Sequence, residues 1–268
     1  MNIENLCNKI NLQGEIKKEV LDFSEKFDFN SISDLLKDFC NYNKMKESRI
    51  KLQNQLNDND RNIKILSCML KASCDIYKLY KDKNIDDTIY FDTMKCYTRF
   101  ISETYEITGK LFFDRFWWTT RQAGFHLFRI GELEYEIVTD NFSKKIISIH
   151  IPSDANFNPI NVDKSIKNAR DFFSKYFLLD YNTEFQCHSW MLDSQLKNML
   201  PTTSNILNFQ NRFSIFDKGE ISSEILQWIF KTDKTDYKIL PENTSLQKNI
   251  KKHLLNGKNI FTPRGKLI

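Results

Sequence analysis

The sequence predicts an α+β chain of two domains, an N-terminal helical bundle followed by a mixed α/β sheet domain. Apolar residues recur at helical spacing as far as about residue 105. Near residue 110 the period changes, and short β-branched and aromatic segments follow one another with turn-forming residues between them. A strand, a helix and a further strand then succeed each other, the pattern of a crossover unit with parallel strands. The expected domains are therefore residues 1–108 and 109–268, both long enough to bury a core of their own.

In the first half, Ile16, Val20, Phe23 and Phe27 form one stripe of a helix. Ser31 with Asp34 marks the start of a second helix that buries Leu35, Leu36 and Phe39. The polar stretch Asn54–Asp60 reads as a loop, with Asp60 capping a third helix that turns Ile63, Leu66, Met69, Leu70, Ile76, Tyr77 and Tyr80 inward. A fourth helix runs from about Asp87 through Tyr90, Met94 and Tyr97 to Ile101. A bundle core explains all of these stripes, and none of them carries chemistry.

In the second half, Leu127–Ile130, Leu133–Val138 and Ile146–Ile151 read as an antiparallel meander. In the third segment Ile147, Ile149 and Ile151 share one face, and Ser148 and His150 share the other. A loop and a helix with Ile166, Ala169, Phe173, Tyr176 and Phe177 on its packing side lead to a strand over Glu184–Leu192. Short helices near 194–200, 205–212 and 223–230 follow, with extended segments at 213–216 and 237–240. The last helix opens with the capping box Thr244-x-x-Gln247 and ends at Gly257.

Composition narrows the function. The chain carries 39 Lys+Arg against 35 Asp+Glu, a net charge of +4, with the two signs interspersed. Such a balance argues against nucleic acid as a partner. No apolar run approaches the roughly 20 residues that span a bilayer, so a membrane is not expected either. With 41% hydrophobic residues and 22 Phe, the composition builds cores and excludes disorder. The six cysteines are irregularly spaced, and the N-terminal Met1–Leu6 has no signal-peptide character. Reduced thiols in a cytoplasm are the expectation. No metal site is expected, because Cys187 and His188 are the one close pair and adjacent strand residues point apart. The same alternation opposes a Cys–His nucleophile pair.

Two features point to chemistry. In Glu184–Trp190, Gln186, His188 and Trp190 share a face, as Ser148 and His150 do on the preceding strand. Two imidazoles then stand near the C-terminal ends of parallel strands, where open α/β sheets bind ligands, and imidazole transfers protons near neutral pH. His150 and His188 are the candidate catalytic residues, with Ser148, Gln186 and Trp190 as candidate substrate-binding residues. The second feature is the loop before the crossover helix. A helix N-terminus attracts anions, and Ser153, Ala155, Asn156, Asn158, Asn161 and Lys164 offer donors and charge there. Arg121 and Arg129 are expected in ion pairs with Glu132, Glu134 or Glu136.

Several blocks together resemble a known family. These are Trp118–Gln122 and His126–Ile137, the sequence IHIPSDA at 149–155, CHSWML at 187–192, Leu200–Phe213 and Leu240–Lys258. The chain resembles two-domain bacterial acyltransferase-like proteins, in which a helical N-terminal domain precedes a GNAT-like C-terminal domain. The resemblance implies acyl-CoA as acyl donor, with its diphosphate near the loop after the third meander strand. It also implies an amine-like small-molecule acceptor entering where the two flanking strands splay. The segment Ser153–Asn161 lacks the glycines of the wider superfamily's diphosphate loop. Two readings follow: an N-acyltransferase, possible as a homodimer, or a non-catalytic binding protein on a degenerate GNAT-like scaffold.

Overall fold

The computed structural model describes residues 1–58, 61–140 and 143–268. The chain divides into two compact units, Met1–Ile130 and Gly131–Ile268. The change of period near residue 110 precedes this border, because one more helix and one strand group with the helical half.

The first unit contains α1 (Ile3–Lys9), α2 (Gly14–Lys26), α3 (Ser33–Lys37), α4 (Tyr42–Leu56), α5 (Ile63–Asp82), α6 (Asp87–Met94), α7 (Cys96–Thr108), α8 (Phe116–Ala123) and strand β1 (Leu127–Ile130). Helix α5 is its axis. Ile63, Leu66, Met69, Leu70, Ile76 and Tyr80 are buried as expected, with Ser73 in the same stripe, and so are Cys68, Ala72 and Cys74 on other faces. A helix buried on most sides must satisfy its polar groups internally. Tyr97 Oη and Ser73 Oγ lie 2.8 Å apart, and Tyr90 Oη donates to the Ser73 carbonyl at 2.9 Å.

The expected Asp60 cap lies outside the described residues. Asp58 instead accepts from the backbone N–H groups of Lys64 and Ile65, at 3.1 and 2.6 Å. The single helix expected from Asp87 is two, interrupted at Lys95. The aromatic run at 112–118 enters α8, where the Arg121 guanidinium lies 4.3 Å from the Trp118 ring centroid.

The second unit holds β2 (Leu133–Thr139), β3 (Lys145–His150), α9 (Pro159–Phe177), β4 (Phe185–His188), α10 (Asn205–Gln210), β5 (Phe213–Asp217), α11 (Ile225–Phe230), α12 (Ser245–Leu255) and β6 (Arg264–Leu267). Its strands lie in the order β2-β3-β4-β6-β5. β3 and β4 are parallel, as the crossover through α9 requires; the other neighbours pair antiparallel.

Register then sorts the side chains into two faces. Ile149 is level with Tyr135 on β2 and Cys187 on β4, and Cys187 is level with Gly265 on β6. That face is apolar. Phe173 of α9 packs edge-on against Tyr135 and Phe185, with centroids 6.4 and 6.5 Å away. Each such ring contributes about 1.5–3 kcal/mol on burial. A one-residue slip would turn all of them outward, so the register is strongly specified.

Strand β6 was not apparent from the sequence. It is four residues long, follows Pro263 and contains Gly265. A Cβ at Gly265 would lie 2.9 Å from Phe213 Cβ and 3.0 Å from Ile215 Cδ1, so the glycine permits β6 to fit beside β5. The strand expected over Glu184–Leu192 is correspondingly shorter. It ends at His188, and Trp190–Leu192 turns into a 3₁₀ segment. The extended segment expected at Tyr237–Leu240 is 3₁₀ as well, over Tyr237–Ile239. The capping box at Thr244 and Gln247 is formed with both of its bonds.

Candidate active site

The face of the sheet opposite α9 is polar. Glu134 is level with His150, and Glu136 with Ser148; Ser148 is level with Gln186. Gln186 is in turn level with Lys266, and His188 with Arg264. Side chains level with each other on neighbouring strands project to the same side. His150, His188, Ser148 and Gln186 therefore share one face. Cys187 takes the other, fully buried, and burial pushes its thiol up to about 12.

The ladder between β3 and β4 ends at Ile149 and Cys187. Just beyond it, the Ser189 N–H donates to the Pro263 carbonyl at 3.2 Å, so β4 continues beside the β6 side of the sheet. β3 leads into Pro152 and the loop. The two imidazoles follow the last paired residues.

Their surroundings differ. His150 Nε2 lies 2.9 Å from Glu136 Oε2, with side-chain exposures of 23% and 4%. The bond is diagonal, since Glu134 is the residue directly level with His150. A carboxylate this deeply buried requires a partner. His188 is more open. Partial desolvation, then the neighbouring Arg264 guanidinium, lowers its pKa from the usual histidine value. At neutral pH it is an uncharged base.

The loop after β3 departs from expectation. The Ala155 N–H closes a turn on the Pro152 carbonyl at 3.1 Å. The Asn158 side chain caps α9 by accepting from Ile160 N–H at 3.0 Å. The Asn156 N–H donates to Glu132 Oε2 at 2.8 Å, and Asn161 Nδ2 donates to Glu132 Oε1 at 3.3 Å. A carboxylate thus already holds two donors assigned above to an anion. In this structure the Asn156 N–H, the Asn161 amide and the Asn158 side-chain oxygen make hydrogen bonds at the loop and helix start. Ser153 and Lys164 are exposed at the surface.

Trp190 departs from the expected strand alternation. It belongs to a buried cluster with Leu196, Leu207, Ile229, Ile250 and Leu254, away from the strand alternation that suggested a substrate contact. The chain leaves the extended conformation after Ser189, so counting by two fails there. Glu136 and Arg264 are the participants that residue types alone did not single out. The alternation Leu133-Glu134-Tyr135-Glu136-Ile137 already put both glutamates opposite Tyr135; the diagonal partner on β3 was not readable. Glu132 bonds to the loop before α9, and Glu136 bonds to His150. Among the described residues, no three His, Cys, Asp or Glu side chains converge as a metal site, and no helix is long and apolar enough to cross a membrane.

Comparison with known proteins fits this architecture. Residues 127–267 match the family model of the GNAT-like C-terminal domain, and residues 1–124 match that of the N-acyltransferase N-terminal domain. No curated protein matches the chain. Among solved structures it is similar to an acyltransferase in complex with decanoyl-CoA and teicoplanin, with a TM-score of 0.79 and 19% identity over 98% of this chain and 86% of the other. An acyltransferase mutant in complex with octanoyl-CoA gives a TM-score of 0.81 and 18% identity, with the same coverage. Likeness at this identity establishes a shared fold.

Proposed function

The chain belongs to the two-domain family that joins an N-acyltransferase N-terminal domain to a GNAT-like C-terminal domain, and from that premise we propose that it transfers an acyl group from acyl-CoA to the amine of a small-molecule acceptor. One observation carries the reading: His150 and His188 share the polar face of the sheet beside the point where the β3–β4 ladder ends. A thioester carbonyl held there has imidazoles on one side and strand N–H groups in reach.

In the proposed reaction the acceptor nitrogen attacks the thioester carbon. Its proton passes to His150 or His188, and the C–S bond breaks as the C–N bond is completed. The CoA thiolate takes up a proton and leaves as the free thiol. Backbone N–H groups at the parted strands stabilise the oxyanion, and the pairing of two bound substrates supplies the proximity term. Acyl-CoA and teicoplanin are bound by the similar structures; that likeness supports acyl-CoA as donor here and leaves the acceptor to be identified by its amine.

The test is direct. Purified protein is incubated with acyl-CoA donors from acetyl to dodecanoyl and a panel of amines, with thiol release and acylated product both measured. Transfer with at least one pair is expected, falling at least about tenfold when the operating base is replaced by glutamine. Undiminished transfer in both His150→Gln and His188→Gln would discard the assignment.

A second reading, a non-catalytic acyl-CoA or metabolite binder, is favoured by the Glu132 carboxylate on the loop donors. Ligand binding separates the two. A donor at 100 times its dissociation constant stabilises the fold by about 2.7 kcal/mol whether or not it is turned over. Stabilisation without product under any donor and amine selects the binder.

A further inference from the structure

We infer that Glu136 is the positioning residue of the transfer, accepting the Nε2–H of His150 and so fixing the imidazole tautomer whose lone pair lies on Nδ1. This rests on the transferase reading above and extends it by choosing between the two imidazoles.

The argument is geometric. The polar face that carries His150 also carries Glu134 and Glu136 of β2, Ser148 of its own strand, Gln186 and His188 of β4, and Arg264 and Lys266 of β6. The His150 ring approaches Glu136, at 2.9 Å through Nε2. A carboxylate accepts and does not donate, so the nitrogen facing it carries the hydrogen. The neutral ring then has one lone pair, on Nδ1.

Burial makes the contact an orienting one. An exposed histidine–carboxylate pair exchanges with water and fixes little. Here Glu136 is 3% exposed, on a strand whose register is set by the apolar residues on its other face. The carboxylate cannot swing away without losing a buried bond, and the ring it holds inherits that rigidity. His188 is held differently: it bonds to the Thr262 backbone, its neighbour in register is the Arg264 guanidinium, and among the described residues the exposed ring has no buried carboxylate on it.

The proton balance is simple. The acceptor's proton goes to Nδ1, giving an imidazolium whose Nε2–H still rests on Glu136. As the C–S bond breaks, the proton on Nδ1 passes to the departing thiolate, and the ring returns to its starting tautomer. Glu136 is not itself protonated. Its charge stabilises the transient imidazolium.

Two measurements test this. Protein labelled with ¹⁵N-histidine is examined by long-range ¹H–¹⁵N correlation, with His150 assigned by the signal lost in His150→Gln. A neutral His150 protonated on Nε2 is expected. In parallel, Glu136→Gln is compared with wild type under steady-state conditions, where kcat should fall at least about tenfold and KM for acyl-CoA should stay within about twofold. A structural role alone would not split the constants in that way. An active wild type with His150 protonated on Nδ1, or with kcat retained in Glu136→Gln, overturns the role of Glu136 alone. A wild type silent with every donor and amine overturns the transferase reading and this role with it, whatever the tautomer. Should Glu136→Gln not fold, the wild-type spectrum still decides the tautomer.

Discussion

Glu132 Oε2 lies 2.8 Å from the Asn156 backbone nitrogen, and its second oxygen accepts from the Asn161 side chain. An internal carboxylate thus stands at the start of α9, where the helix dipole and N–H groups would otherwise attract an external anion. Replacing it with alanine returns two donors to the loop and removes a negative charge. CoA should then bind Glu132→Ala several-fold more tightly than wild type at low salt, with the gain shrinking as ionic strength rises. Isothermal titration with CoA and with dephospho-CoA measures it. Equal or weaker binding in Glu132→Ala would mean that the diphosphate does not approach this loop, or that Glu132 is needed to shape it.

The His150–Glu136 pair makes a second prediction, independent of activity. Removing the imidazole leaves a carboxylate that is 4% exposed without that bond, and a buried acceptor deprived of its donor typically costs about 1–3 kcal/mol, more when it is charged. Removing both partners together costs less, because no buried carboxylate is then left without its donor. His150→Leu should therefore be more destabilised than the double variant His150→Leu/Glu136→Leu in urea unfolding at neutral pH. If the double variant is the less stable, the pair contributes net stability beyond mutual neutralisation.

These two contacts mark the reach of the sequence. The helical first half followed by a sheet with helices, the parallel β3–β4 pair and the common face of His150 and His188 follow from local rules: alternation by two, helical stripes, and the crossover that makes the strands parallel. His150 and His188 were legible because each lies in a strand that keeps its alternation to that residue. Trp190 was not, because the backbone turns into a 3₁₀ segment two residues later. β6 was hidden for a different reason. Arg264–Leu267 has no apolar alternation of its own, and it becomes a strand by filling the position between β4 and β5. The partner choices of Glu132 and Glu136 depend on which strand and loop lie beside β2, and tertiary geometry alone decides that.

His188 links pH to stability. Its folded-state pKa is lowered by desolvation and by Arg264, while the unfolded chain keeps the ordinary value near 6.5. Above that pH both states hold a neutral ring and the group contributes no pH dependence. As pH falls below 6.5 the unfolded state takes up its proton first, so stability drops until the folded ring is also protonated. His188→Gln removes this component. Its unfolding free energy should decline less steeply than that of wild type below pH 6.5, measured by urea titration at a series of pH values. Parallel curves would mean that His188 titrates alike in both states.

The thiols provide a final check on the fold. Cys7, Cys68, Cys74, Cys96 and Cys187 are buried, and Cys40 alone of the six is exposed. Burial raises the pKa of Cys7 to about 11 and of Cys68, Cys74 and Cys187 to about 12. The attacking species in disulfide exchange is the thiolate, so these groups are protected twice, by access and by protonation. A disulfide reagent added to native protein at pH 8 should titrate one thiol, and it should do so slowly because the Cys40 pKa is raised as well. Denaturant should release all six, and Cys40→Ser should abolish the native reaction. Rapid native labelling of Cys187 would place it in solvent, reverse the two faces of β4, and remove the basis for putting His188 beside His150.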